Sequence, residues 1–195
     1  MTHSRHLRTA LVLCGLIFGA CLAGAPRVRA QQPAALAAAQ VVKTHTYISL
    51  DRVPRGKEFQ AAVVVQIAQG YHMNSHKPLD SYLIPTTLTP QLPAGFKLVE
   101  AIYPAGHDRK FPFSPDKPLN VYTDSVTLRL RLVAEAKAPL GSTSIPVTLR
   151  YQACNNSACL PPVKVPVPVQ VQVASAGSAG RPAHADIFRT SAEKK

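Results

Sequence analysis

The strongest constraint in this chain is a period of two. Six valines occupy alternate positions from Val163 to Val173, with Lys164, Pro166, Pro168, Gln170 and Gln172 between them. Val126, Leu128, Leu130 and Leu132 alternate with Thr127, Arg129 and Arg131. Ile145, Val147, Leu149 and Tyr151 continue the pattern, and so do Phe59, Ala61, Val63, Val65 and Ile67. A helix spreads such residues around its circumference, whereas a strand puts them on one face. One-sided strands belong to antiparallel sheets with a single wet face. With turn residues punctuating the chain and no amphipathic helical stretch, the expected fold is all-β: an immunoglobulin-like antiparallel β-sandwich. The distant Cys, Trp and Cys pattern of antibody domains is missing, since the chain has no tryptophan.

Both ends differ from this body. Residues 1–30 read as a secretory signal peptide, with Arg5 and Arg8 at its start, an apolar run from Ala10 to Ala25, and a small-x-small site at Val28-Arg29-Ala30. A lipidated N-terminus at Cys21 is the alternative. Residues 31–43 are Ala/Gln-rich and expected to be a mobile N-terminal arm. Residues 44–173 form the sandwich, and 174–195 are expected to be a disordered C-terminal tail. Beyond the leader no apolar run approaches the roughly 20 residues of a membrane-spanning helix. The expected location is therefore the periplasm, with no stable membrane insertion after cleavage. Loss of the leader's four arginines lowers the formal charge from +12 to +8. The basic residues are scattered singly and not clustered with aromatics, which argues against nucleic acid as a partner.

Prolines shape two further expectations. Pro166 and Pro168 remove two neighbouring donors from one side of the last strand. That strand should be a sheet edge, paired on its other side with Ile145 to Ala153. Pro104 to Pro118 reads as a long proline-rich loop carrying Phe111 and Phe113, either as a lid over something nearby or as closure of the sandwich end.

Two groups of residues can carry chemistry. His72, Met73 and His76 lie in a polar, turn-rich segment and are a minor candidate for a copper site. Pro78 and its neighbours argue against the helix that would align the two histidines, and no metal or other cofactor is assigned. The second group is Cys154 and Cys159, with four residues between them, at a hairpin end followed by Pro161-Pro162. In an oxidising compartment an even pair is expected to join. A bridge over so short a loop removes little chain entropy, so exchange chemistry is favoured over a purely structural staple. Asn155, Asn156 and Ser157 are candidate hydrogen-bond donors to a thiolate.

Gly70-Tyr71-His72-Met73-Asn74-Ser75, Leu83-Ile84-Pro85-Thr86 and Leu92-Pro93-Ala94-Gly95-Phe96 add to this picture. Together with Tyr151-Gln152-Ala153-Cys154 and Cys159-Leu160-Pro161-Pro162, they resemble the N-terminal periplasmic domain of the DsbD family of thiol:disulfide interchange proteins. The resemblance spans about Thr44 to Val173. It implies an immunoglobulin-like sandwich whose cysteine pair takes electrons from a membrane-embedded domain and passes them to periplasmic thioredoxin-like proteins, a role tied to protein-disulfide reduction and cytochrome c biogenesis. It implies Cys154 and Cys159 as the redox pair, with Cys159 forming the mixed disulfide. Glu100, Ile102, Tyr103 and Pro104 align with a cap loop, Tyr71 aligns with an aromatic packed near it, and Tyr151 and Pro161 flank the pair.

The sequence departs from the family pattern in two ways. The aligned cap lacks the family's acidic pair followed by adjacent aromatics. The sequence also stops at Lys195, without the membrane and thioredoxin domains that follow in the family. The expectation is a stand-alone interchange module served by a separately encoded membrane thiol reductase. The competing readings are a non-catalytic binding domain with a static disulfide and the copper carrier.

Overall fold

The computed structural model describes residues 31–189. The expected signal peptide, with Cys14 and the alternative lipidation site Cys21, lies outside the described residues. In chain order the elements are α1 (Gln31–Ala39), β1 (Val42–Ile48), β2 (Val53–Pro54), β3 (Lys57–Ile67), β4 (His72–Asn74), β5 (Thr87–Pro90), β6 (Phe96–Ile102) and β7 (His107–Phe111). They continue with β8 (Ser114–Tyr122), β9 (Ser125–Ala134), β10 (Gly141–Ile145), β11 (Val147–Tyr151), β12 (Ala153–Cys154), β13 (Val163–Pro166), β14 (Val169–Ala174) and α2 (Ala185–Phe188).

One layer is the antiparallel sheet β1-β3-β9-β6. Its register sets Phe59, Ala61, Val63 and Val65 opposite Leu132, Leu130, Leu128 and Val126. All eight are buried, as the alternation requires. Facing them in the same core are Ile145, Val147, Leu149, Tyr151, Val167, Val169, Val171 and Val173 from the other layer. Burying each large apolar side chain contributes roughly 1.5–3 kcal/mol. The two layers make the immunoglobulin-like antiparallel β-sandwich that the periodicity implies.

The second layer is built on one long hairpin. Gly141 pairs with Val173, Ile145 with Val169, Thr148 with Pro166 and Tyr151 with Val163, all in one constant register. That register sets Pro146 opposite Pro168, neither of which has an amide proton, and the ladder breaks there. On one side of the break the order is β10-β14-β2; on the other it is β13-β11-β5. The expected single edge strand is therefore two strands. β13 is an edge paired with β11, but β14 is central, flanked by β10 and by the parallel β2. The prolines disable pairing only around themselves, and from Val169 onward every donor is available again.

Three other segments differ from expectation. The arm is largely helical: α1 covers Gln31–Ala39, Ala38 is fully buried, and its carbonyl accepts a 2.7 Å hydrogen bond from the Tyr151 hydroxyl. An alanine-rich stretch has the propensity for a helix, and the tyrosine supplies the anchor. The stretch following β14 is docked as far as the described residues reach. Asp51 accepts from the Arg181 backbone and guanidinium at 2.9 Å each, and Arg129 Nη1 donates to the Phe188 carbonyl at 3.0 Å. Such backbone-led docking leaves no periodic trace in sequence. Finally, the proline-rich loop is mostly the hairpin β7–β8, which belongs to a further sheet, β12-β4-β8-β7.

Candidate functional site

β12 ends in Cys154, and a tight turn returns the chain to Cys159. The amide of Asn155 donates to the Ala158 carbonyl at 2.9 Å, and that of Leu160 to the Ala153 carbonyl at 2.8 Å. The Asn155 side-chain oxygen accepts from the amides of Ser157 and Ala158 at 2.8 and 2.9 Å, an arrangement asparagine makes readily. Cys154 and Cys159 form a disulfide, with Cα atoms 3.9 Å apart across this turn. Cys154 is fully buried, whereas Cys159 is exposed. An incoming group can therefore reach one sulfur and not the other.

What lies over Cys154 follows from strand pairing. β12 pairs with β4, matching Ala153 with Met73 and Cys154 with His72. Ala153 and Met73 belong to the main core, so Cys154 and His72 share the opposite face of the ladder. On that face β8 contributes Val121, the partner of Asn74. Val121 packs with Leu83, Leu119 and Phe111 in a second, small core. Phe111 stacks on the His72 ring at 3.9 Å between centroids, and Phe113 lies parallel to Phe111 at 5.6 Å. The Phe111-Pro112-Phe113 tip of the β7–β8 hairpin thus roofs the residue that pairs with Cys154.

A cavity of about 420 Å³ opens beside this roof, lined by Tyr71, His72, Arg109, Phe111, Asp124 and Asn156 among others. His72 is buried, and its Nε2 has no hydrogen-bond partner. Burial pulls the imidazole pKa down to about 4, and the neighbouring Arg109 charge acts in the same direction, so the ring is neutral at pH 7. Asn74 ties the floor together, donating to the Ile84 carbonyl at 3.1 Å and to Gln152 Oε1 at 3.3 Å.

The remaining residues singled out from sequence fall in separate places. Tyr71 lines the cavity and packs against the main core. Pro161 is exposed just after the turn. Tyr151 points into the core and holds α1, and burial raises its pKa to about 12. Glu100 and Ile102 lie on β6, an edge of the other layer, where Glu100 pairs with Arg131 at 2.8 Å. Tyr103 stacks on His76 at 3.6 Å, and its hydroxyl accepts from the Leu88 amide at 2.8 Å. The segment aligned with a cap is thus strand and strand end, and the aromatics stacked on His72 come from Phe111 and Phe113. From sequence these two aromatics read as either lid or core closure, and their Phe-Pro-Phe spacing is the signal for them.

His72, Met73 and His76 turn to three different neighbours: Phe111, the main core and Tyr103. Among the described residues no group of three His, Cys, Asp or Glu side chains is gathered to hold a metal. Of the turn residues proposed as thiolate donors, Asn155 uses its carboxamide oxygen to close the turn.

Residues 38–170 match the family described as thiol:disulfide interchange protein DsbD, N-terminal. No curated protein matches the chain. Among solved structures, the crystal structure of the Neisseria meningitidis DsbD N-terminal domain in the reduced form is similar at 16% identity and a TM-score of 0.42, covering 74% of this chain and 92% of that one. No helix among the described residues is long and apolar enough to cross a membrane.

Proposed function

Because this chain belongs to the DsbD N-terminal domain family, we propose that it is a periplasmic thiol–disulfide interchange module, passing electrons between a membrane thiol reductase and thioredoxin-like proteins. The observation that carries this reading is the asymmetry of the bridge, a buried Cys154 joined to an exposed Cys159 at a hairpin end. A static staple has no need of an accessible sulfur, whereas exchange requires in-line approach to one.

The steps follow from that access. A reductant's thiolate attacks Cys159 Sγ; the bond to Cys154 breaks, and its electron pair leaves on Cys154 as a thiolate. The reductant's second thiol attacks its own sulfur in the mixed disulfide, freeing Cys159 and leaving the reductant oxidised. Cys159 thiolate then attacks the disulfide of a thioredoxin-like acceptor, and Cys154 resolves the second mixed disulfide. That restores the bridge and releases the acceptor as a dithiol. Two electrons have moved, and no cofactor is used. Tyr71 and the Phe111-Pro112-Phe113 tip form the apolar border that a partner displaces or docks against, and Pro161 stiffens the exit of the turn. Leader cleavage would deliver the module to the periplasm, where such acceptors include those serving cytochrome c biogenesis.

Trapping tests the proposal. A Cys154→Ser variant keeps Cys159 and lacks the resolving thiol, so it should accumulate a mixed disulfide with a thioredoxin-fold protein of its own compartment, identifiable by mass spectrometry. No captured partner, together with a reduction potential well below about −300 mV, would place the bridge among inert structural disulfides.

A further inference from the structure

Opening the bridge at Cys159 leaves negative charge on Cys154, which is fully buried. A buried thiolate without a donor is costly, and burial alone pushes a thiol's pKa up. The turn itself has little to offer, because the amides of Asn155, Ser157, Ala158 and Leu160 are all committed within it.

Two buried polar atoms on this face of β4 lack partners, Asn74 Oδ1 and His72 Nε2; the carboxamide oxygen can only accept, so the imidazole nitrogen is the one able to donate to a thiolate. His72 is the cross-strand partner of Cys154, and opposite residues of such a ladder hold their Cβ atoms roughly 4.5–5.5 Å apart. Its Nε2 is buried and unpartnered with the disulfide closed, and Phe111 stacked on the ring restricts its plane. An orphaned buried nitrogen is unfavourable in the oxidised protein, and a neighbouring thiolate would supply its missing partner.

We infer that His72 is a positioning residue for the exchange proposed above, donating a hydrogen bond from Nε2–H to the Cys154 thiolate when the disulfide opens. In the bond change, the partner thiolate's electron pair makes the new bond to Cys159 Sγ. The Cys154–Cys159 pair leaves on Cys154 Sγ, and the imidazole proton stays on nitrogen. A neutral ring is sufficient for this, and its low pKa makes it neutral across the working range. The other charged or titratable groups around the ring are Arg109 and Lys110 on β7, Asp124 before β9 and Tyr71 beside β4. Arg109 adds positive charge near the His72 ring.

This inference rests on the exchange reading, but its test does not need a partner protein. In the full chain carrying Cys14→Ser, Cys21→Ser and Cys159→Ser, Cys154 is the sole thiol. Its ionisation is read from the pH dependence of iodoacetamide alkylation and of thiolate absorbance. His72→Phe keeps an aromatic ring for Phe111 to stack on and removes the donor. His72→Gln keeps an N–H and loses the ring. The expected result is a Cys154 thiol pKa at least about one unit higher in His72→Phe, equivalent to a tenfold loss of thiolate at a given pH below it, with His72→Gln recovering at least half of the shift. Equal thiol pKa values in the parent and His72→Phe, with both proteins folded by circular dichroism, would overturn the inference. So would an identical shift in both variants. Failure to trap any partner with Cys154→Ser while the His72→Phe shift is present would instead count against the exchange reading alone.

Discussion

Cys154 and Cys159 share one bond and sit in opposite surroundings: Cys154 is enclosed on the face of β12 that meets His72, and Cys159 is exposed where the chain returns from the turn. After reduction the two thiols should therefore differ in reactivity. Brief treatment with limiting iodoacetamide at pH 7 should label Cys159 at least about tenfold faster than Cys154, as read by peptide mass mapping. Equal labelling would mean that the turn opens as soon as the bridge is broken.

The Phe111-Pro112-Phe113 tip covers His72, the partner of Cys154. Replacing Phe111 and Phe113 together by Ala removes the stack and should speed reduction of the disulfide by dithiothreitol several-fold, measured by quenched alkylation. Phe111 also packs with Leu83, Leu119 and Val121, so a loss of stability of about 2 to 4 kcal/mol in urea should accompany the change.

Tyr151 reaches from β11 to the Ala38 carbonyl. Tyr151→Phe removes that bond and leaves the carbonyl only the 3.3 Å bond it accepts from the Val41 amide, so it should cost about 1 kcal/mol by urea denaturation. The rate of disulfide reduction should be unchanged, because the lost bond lies in the main core. A large change in that rate would show that α1 is coupled to the cysteine turn.

His72 makes stability pH-dependent. Its pKa of about 4 in the folded protein lies below the ordinary 6.5. Between these values the unfolded chain binds a proton that the native ring refuses. The stability present above about pH 6.5 is thus lost progressively as pH falls toward 4, by on the order of 3 kcal/mol at most. His72→Phe should flatten this part of the profile in urea titrations at successive pH values. The lowered carboxyl of Asp51, held by the Arg181 backbone and side chain, acts below its usual 3.8 and so outside this window.

Gly95 adopts a φ of +85°, and a Cβ placed there would come 2.5 Å from the Ala138 backbone. Gly95→Ala should destabilise the fold by at least about 2 kcal/mol, read as a lower urea midpoint with an unchanged slope.

The inward face of nearly every strand was legible in the sequence, because alternation is a local property: Val126 to Leu132 and Val167 to Val173 are buried where period two puts them. The cysteine pair and the family motifs around it were legible for the same reason, being contiguous stretches of chain. The split of the last strand was half legible. Pro166 and Pro168 announced missing donors, but only the register that sets Pro146 opposite Pro168 shows where the hairpin passes from one sheet to the next.

The sequence by itself determined an all-β sandwich with a dithiol at a hairpin end, since backbone geometry ties side-chain period to strand faces and residue spacing to turn size. Tertiary structure alone decided that Cys154 is enclosed and Cys159 is not, that His72 stands opposite the enclosed sulfur, and that the roof comes from Phe111 and Phe113 instead of the segment around Glu100 and Tyr103. Burial of a sulfur is a property of whichever distant strands close over it. The pairing of β12 with β4, and of β4 with β8, joins residues tens of positions apart whose spacing along the chain carries no trace of their contact.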